Sequence, residues 1–160
     1  MALHLFVMRH AEAALLGDSD QQRPLTAQGK MQAQSQGKWL RALNLQWDLV
    51  LVSPYLRAQQ TFGQIDQIFA GKLQPLLETW PALTPYGNPQ LVEDYVQFLA
   101  EQGKQNVLMI SHLPLVGDIV KQLCGQNPAK FYPATIVQIE SEIDKNGLKS
   151  GVKFVQYVNN

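Results

Sequence analysis

Three short apolar runs constrain this chain most, because each stops at a group able to bind or attack an anion. Residues 3–8 read Leu-His-Leu-Phe-Val-Met and meet Arg9-His10. Residues 48–52, Asp-Leu-Val-Leu-Val, meet Ser53-Pro54, and residues 106–110, Asn-Val-Leu-Met-Ile, meet Ser111-His112. Apolar runs this short, bounded by polar residues, read as buried strands.

The stretches between them carry helical spacing. Thr26 is an N-cap for a helix running to about Leu43, with Ala33, Gly37, Leu40 and Leu43 on one side. Ser53 as N-cap with Pro54 at the first helical position opens a second helix. Its inward face is Ala58, Thr61, Phe62, Ile65, Ile68 and Phe69. Residues 73–77 read as a short edge strand, and a loop follows over 80–88. Pro89 opens a helix carrying Leu91, Val92, Tyr95 and Leu99. Pro114 opens another, with Leu115, Val116, Ile119, Val120 and Leu123 inward and Gly125 as its stop. Strands over 134–140 and 152–158 flank the turn Asp144-Lys145-Asn146-Gly147 as a hairpin. Alternating strands and helices predict a three-layer α/β fold. Its largely parallel central sheet is flanked by helices and extended by a C-terminal hairpin, in a single domain over residues 1–160.

Composition narrows the partners. The 13 basic and 13 acidic side chains balance, which removes any general attraction for nucleic acid or an anionic membrane. Anion binding must then come from a few cations gathered locally. The lone cysteine, Cys124, allows no internal disulfide and no multi-cysteine zinc site, and its apolar neighbours predict a structural thiol. The first apolar run is too short for a signal peptide and no stretch is long enough to span a membrane, so a cytoplasmic protein is expected.

In a parallel α/β sheet the loops leaving the carboxyl ends of the strands line the ligand crevice. Parallel neighbours would therefore place Arg9-His10, the segment Ser53 to Arg57, and Ser111-His112 on one edge. Two of these loops lead into helix N-termini, which favour anions. Guanidinium forks grip phosphate oxygens. A neutral imidazole can attack phosphorus, and nearby positive charge would lower the pKa of His10 and keep that nitrogen free. The second imidazole, His112, could be protonated and bind an oxygen. The expected site is small and cationic, with no metal and no cofactor.

The motifs resemble those of the histidine phosphatase superfamily. Arg9-His10-Ala11 resembles its Arg-His-Gly signature, and Arg23-Pro24-Leu25-Thr26 with Gly29 resembles the start of its first helix. The segment from Ser53-Pro54 through Arg57-Ala58 to Thr61 resembles Ser-Pro-x-x-Arg-Ala-x-x-Thr, and residues 107–112 resemble the late strand ending in Ser-His. The resemblance implies that His10 accepts the phosphoryl group while Arg9, Arg57 and His112 bind it. Arg23 is either a further contact to substrate or a structural salt bridge. The short length and the segment Ser111 to Gly117 are most similar to the small phosphohistidine phosphatase branch. That branch implies a partner: the phosphorylated histidine of a phosphotransfer (HPt) domain in two-component signalling.

Two departures stand out. Ala11 replaces the signature glycine, which suits a backbone whose φ is not positive. The segment Pro81-Ala82-Leu83-Thr84-Pro85 lacks the carboxylate that serves as general acid in the sugar-phosphate branches, leaving Glu12, Asp18 and Glu78 as candidates. A P–N bond departs more readily than an alkoxide without a strong acid, because the leaving imidazole is easily protonated. A phosphomonoesterase acting on small molecules and an inactive phosphate-binding module are the alternatives.

Overall fold

The computed structural model describes residues 2–158. The six strands are β1 (Ala2–Arg9), β2 (Leu49–Val52), β3 (Leu77–Thr79), β4 (Asn106–Ser111), β5 (Ile136–Asp144) and β6 (Gly147–Gln156), in one sheet of order β3-β2-β4-β1-β5-β6. The first four run parallel, whereas β5 and β6 form an antiparallel hairpin against β1. Four helices cover the faces: α1 (Ala27–Ala42), α2 (Leu56–Ile68), α3 (Pro89–Glu101) and α4 (Leu115–Cys124).

Alternation along β1 divides the interior. Leu3, Leu5 and Val7 pack with Val92, Val96 and Leu99 of α3 and with Leu115 and Ile119 of α4. Phe6 and Met8 face the opposite way, onto Ala33 and Leu40 of α1 and Phe62 and Ile65 of α2. Each fully buried Leu, Ile or Phe side chain contributes on the order of 2 kcal/mol against its exposed state. This division also creates the crevice. The chain leaves β1 toward one face and leaves its neighbour β4 toward the other, so the loops part above the two strand ends.

Local signals explain the helix ends. Thr26 Oγ1 accepts from Gly29 N at 3.0 Å, and Asn88 Oδ1 accepts from Gln90 N at 2.9 Å. Gly125 ends α4 at φ +84°, a conformation that costs glycine nothing.

Three expectations need correction. Ser53 does not cap α2; the helix starts at Leu56, with Tyr55 at the N-cap. The Ser53 amide still bonds to Ile110 O at 3.1 Å, and its hydroxyl lies 2.7 Å from His112, so residue 53 belongs to the strand end. The edge strand begins at Leu77, because Gln74–Leu76 form a 3-10 turn. Pro75 cannot donate to a ladder, and the Leu73 amide is held by Asp66 Oδ1 at 2.9 Å. The hairpin strands start two residues late in β5 and five early in β6, since pairing continues through Asp144 and Gly147 around a two-residue turn.

Candidate active site

The backbone at His10 is clamped from both sides. Its N–H donates to Ser111 O of β4 at 2.9 Å, and its carbonyl accepts from Ala134 N at 3.0 Å. The ring is correspondingly buried, with 7% of the residue exposed. Nδ1 lies 2.7 Å from the carbonyl oxygen of Ala11. A carbonyl can only accept, so Nδ1 carries the proton and Nε2 keeps its lone pair. Arg57 Nε donates to that Nε2 at 3.3 Å. The two observations fix the same tautomer independently.

Arg57 reaches His10 from the first turn of α2 and is almost wholly buried. Its other end donates from Nη1 to Asp20 O at 2.7 Å and from Nη2 to Asp20 Oδ2 at 3.4 Å. Asp20 Oδ1 accepts from Arg23 Nε at 3.0 Å, and Arg23 Nη1 donates to Ala14 O at 2.9 Å. Arg9 Nη1 donates to Phe131 O at 2.8 Å. His112 follows β4, is 1% exposed, and sits with its ring 5.1 Å from that of His10. Among the described residues Arg9 Nε and His112 Nδ1 are buried polar atoms with no hydrogen-bond partner.

These side chains line one pocket of about 260 Å³, which holds Arg9, His10, Arg23, Arg57 and His112 together with Glu12. The five residues singled out in the sequence thus meet, and Arg23 both lines the pocket and forms the salt bridge with Asp20. Of the three candidate acids only Glu12 lines it, and its carboxylate accepts from Thr26 Oγ1 at 2.9 Å rather than standing free in solvent as a plain loop residue would. Glu78 lies instead against Tyr95.

Burial governs the electrostatics. The His10 imidazole is lowered to about 3, first by burial and then by Arg57, Arg9 and Arg23, with the bond to Ala11 opposing. The arginines act in the expected direction, but desolvation is the larger cause. His112 is lowered to about 2 by burial, then by His10 and the arginines. Without an anion, His112 is therefore neutral at neutral pH, and the protonated form expected from the sequence is one that a bound dianion would favour.

The motif residues outside the pocket hold its walls. Thr61 Oγ1 accepts from Ala11 N at 3.0 Å and donates to Arg57 O at 2.7 Å, tying the loop after β1 to α2. Gly29 has to be glycine, because a Cβ there would collide with Glu12 O. Ala11 has no positive φ, so its methyl is accommodated. Sequence reasoning missed Asp20, which lies in a 3-10 turn (Asp20–Gln22) within a polar segment that has no periodic signal. It also missed the contact of Ser53 with His112, having read the serine as a cap.

A largely parallel α/β sheet whose loops gather two imidazoles and three guanidinium groups makes a small cationic pocket suited to a tetrahedral oxyanion. The profile of the histidine phosphatase superfamily (branch 1) matches residues 5–84, and the chain belongs to that superfamily. It is 46% identical over 144 residues to the phosphohistidine phosphatase SixA homolog of Haemophilus influenzae, covering 86% of this chain and 87% of that one. It is 40% identical over 146 residues to the phosphohistidine phosphatase SixA of Escherichia coli, covering 91% and 89%. The solved structure of the protein histidine phosphatase SixA complexed with tungstate superposes with a TM-score of 0.86 at 37% identity, covering 96% of each chain. Among the described residues no helix is long and apolar enough to cross a membrane, and no cluster of three or more His, Cys, Asp or Glu side chains could hold a metal.

Proposed function

We propose that this chain is a phosphohistidine phosphatase, a hydrolase that acts as one domain through a phosphorylated His10. The observation that carries the reading is the unprotonated Nε2 of His10, held in a cationic pocket beside Arg57 Nε. The names of the relatives support the substrate, and tungstate, a tetrahedral oxyanion, is the kind of ligand such a pocket would take.

In the first step the His10 Nε2 lone pair forms a bond to phosphorus. The P–N bond to the substrate imidazole breaks, its electron pair stays on the departing nitrogen, and that nitrogen takes a proton from water. Arg9, Arg57 and Arg23 offset the charge on the equatorial oxygens, and His112 donates to one of them. The Ala11 carbonyl stabilises the positive charge that His10 acquires, through the Nδ1 proton. Water then attacks phosphorus, loses its proton, and Nε2 recovers its lone pair as phosphate leaves.

The substrate in this reading is the phosphorylated HPt domain of a sensor kinase in two-component signalling, dephosphorylated in the cytoplasm. Incubating the protein with a phosphorylated HPt domain and with a panel of phosphate esters tests this directly. A higher kcat/KM on the HPt domain is expected. A large preference for esters would replace it with a small-molecule phosphomonoesterase, and no turnover of either would leave a phosphate-binding module.

A further inference from the structure

Asp20 lies beside the pocket with its side chain 62% exposed, and its contacts assign it a task. Its carboxylate is divided between two cations: Oδ1 takes Arg23 Nε at 3.0 Å and Oδ2 takes Arg57 Nη2 at 3.4 Å. Its own backbone carbonyl takes Arg57 Nη1 at 2.7 Å. Among the described residues, the pocket arginines have salt bridges to Asp20 alone.

Two of the four distal N–H groups of Arg57 are held by this one residue, and the Nε edge faces His10 Nε2. A guanidinium group is planar, so fixing two of its donors fixes the direction of the third. Arg23 is oriented by the same carboxylate. We infer that Asp20 is a positioning residue for phosphoryl transfer, aligning Arg57 and Arg23 on the transferring group while touching neither the phosphoryl group nor His10. The negative charge of its carboxylate argues against direct contact with a phosphoryl oxygen.

Ground-state anion binding depends mainly on the net charge of the pocket, and removing a carboxylate beside it makes that charge more positive. Stabilising the transition state depends on donors aimed where charge develops. Loss of Asp20 should therefore separate the two. A purely structural role would not.

The inference rests on reading the pocket as a phosphoryl-transfer site, so the parent protein and Asp20→Asn are compared in one assay. Asparagine keeps the shape and the main-chain bond to Arg57, but it loses the negative charge and one of the two carboxylate acceptors that the arginines share. Turnover of phosphorylated HPt domain and of phosphoramidate, a small P–N compound, gives kcat and KM. Titration calorimetry with inorganic phosphate gives Kd, and thermal unfolding checks the fold. Asp20→Asn is expected to lose roughly tenfold or more in kcat on both substrates, with Kd for phosphate unchanged or lower. A kcat within twofold of the parent overturns the inference, as does a Kd that rises in proportion to the loss in kcat. An inactive parent would end the function proposal along with this one, whereas an active parent with an unaffected variant would end this one alone. If Asp20→Asn unfolds, Asp20→Glu, which keeps the carboxylate on a longer arm, must show the same split or the inference fails.

Discussion

His10 Nδ1 lies 2.7 Å from the main-chain oxygen of its own neighbour, Ala11. That contact needs no other side chain, and it decides which nitrogen of the ring can act as a nucleophile. The remaining parts of the site act on Nε2: Arg57 faces it, and burial keeps it unprotonated.

Arg57→Lys keeps a positive charge but removes the fork that spans His10 and Asp20. The expected outcome is a fall of about 100-fold in kcat/KM on a phosphohistidine substrate. Steady-state kinetics would show it, and a change below threefold would mean that charge alone suffices.

Ser53→Ala leaves His112 Nε2 without the hydroxyl that stands 2.7 Å away. A buried polar atom losing its partner costs about 1–3 kcal/mol, so chemical denaturation should register that loss. Because the same bond orients His112, kcat should fall by about tenfold.

Gly29→Ala drives a methyl into the main-chain oxygen of Glu12, where neither α1 nor the loop after β1 can yield easily. A loss of more than about 2 kcal/mol is expected in urea unfolding. An unchanged midpoint would show that the loop moves freely.

Acid should weaken the fold through the two imidazoles. Both have folded pKa values depressed far below 6.5, to about 3 for His10 and about 2 for His112. The unfolded chain therefore binds protons first. The stabilisation from keeping these rings neutral is whole above pH 6.5 and drains away as pH falls toward 3. Denaturation midpoints measured at pH 7, 6 and 5 should fall progressively. His10→Asn should make the dependence shallower, and a curve as steep as the parent's would contradict the burial argument.

Much of this architecture is legible in the residues themselves. The apolar runs place β1, β2 and β4, and parallel packing then requires Arg9, His10, Arg57 and His112 to share an edge, which is where they lie. What could not be read depends on single side chains bonding across the chain. Gln32 and Gln36 occupy the buried face of α1 beside Ala33 and Leu40, where a polar residue looks like a break in the stripe. Gln32 Oε1 in fact accepts from Glu12 N at 2.9 Å, and Gln36 Nε2 donates to Ala134 O at 2.8 Å. Ser53 carries a strong capping signal with Pro54, but β4 and His112 compete for it and win. Asp20 gives no periodic signal; Arg23 is three residues away, but Arg57 is 37 residues away and only folding brings it to the same carboxylate.

The most direct test is chemical. Rapid quenching of the protein with a radiolabelled phosphohistidine substrate should trap label on His10 as a phosphoramidate that survives base and is lost in acid. The label should be absent from His10→Ala. Label on any other residue, or full turnover by His10→Ala, would contradict the account.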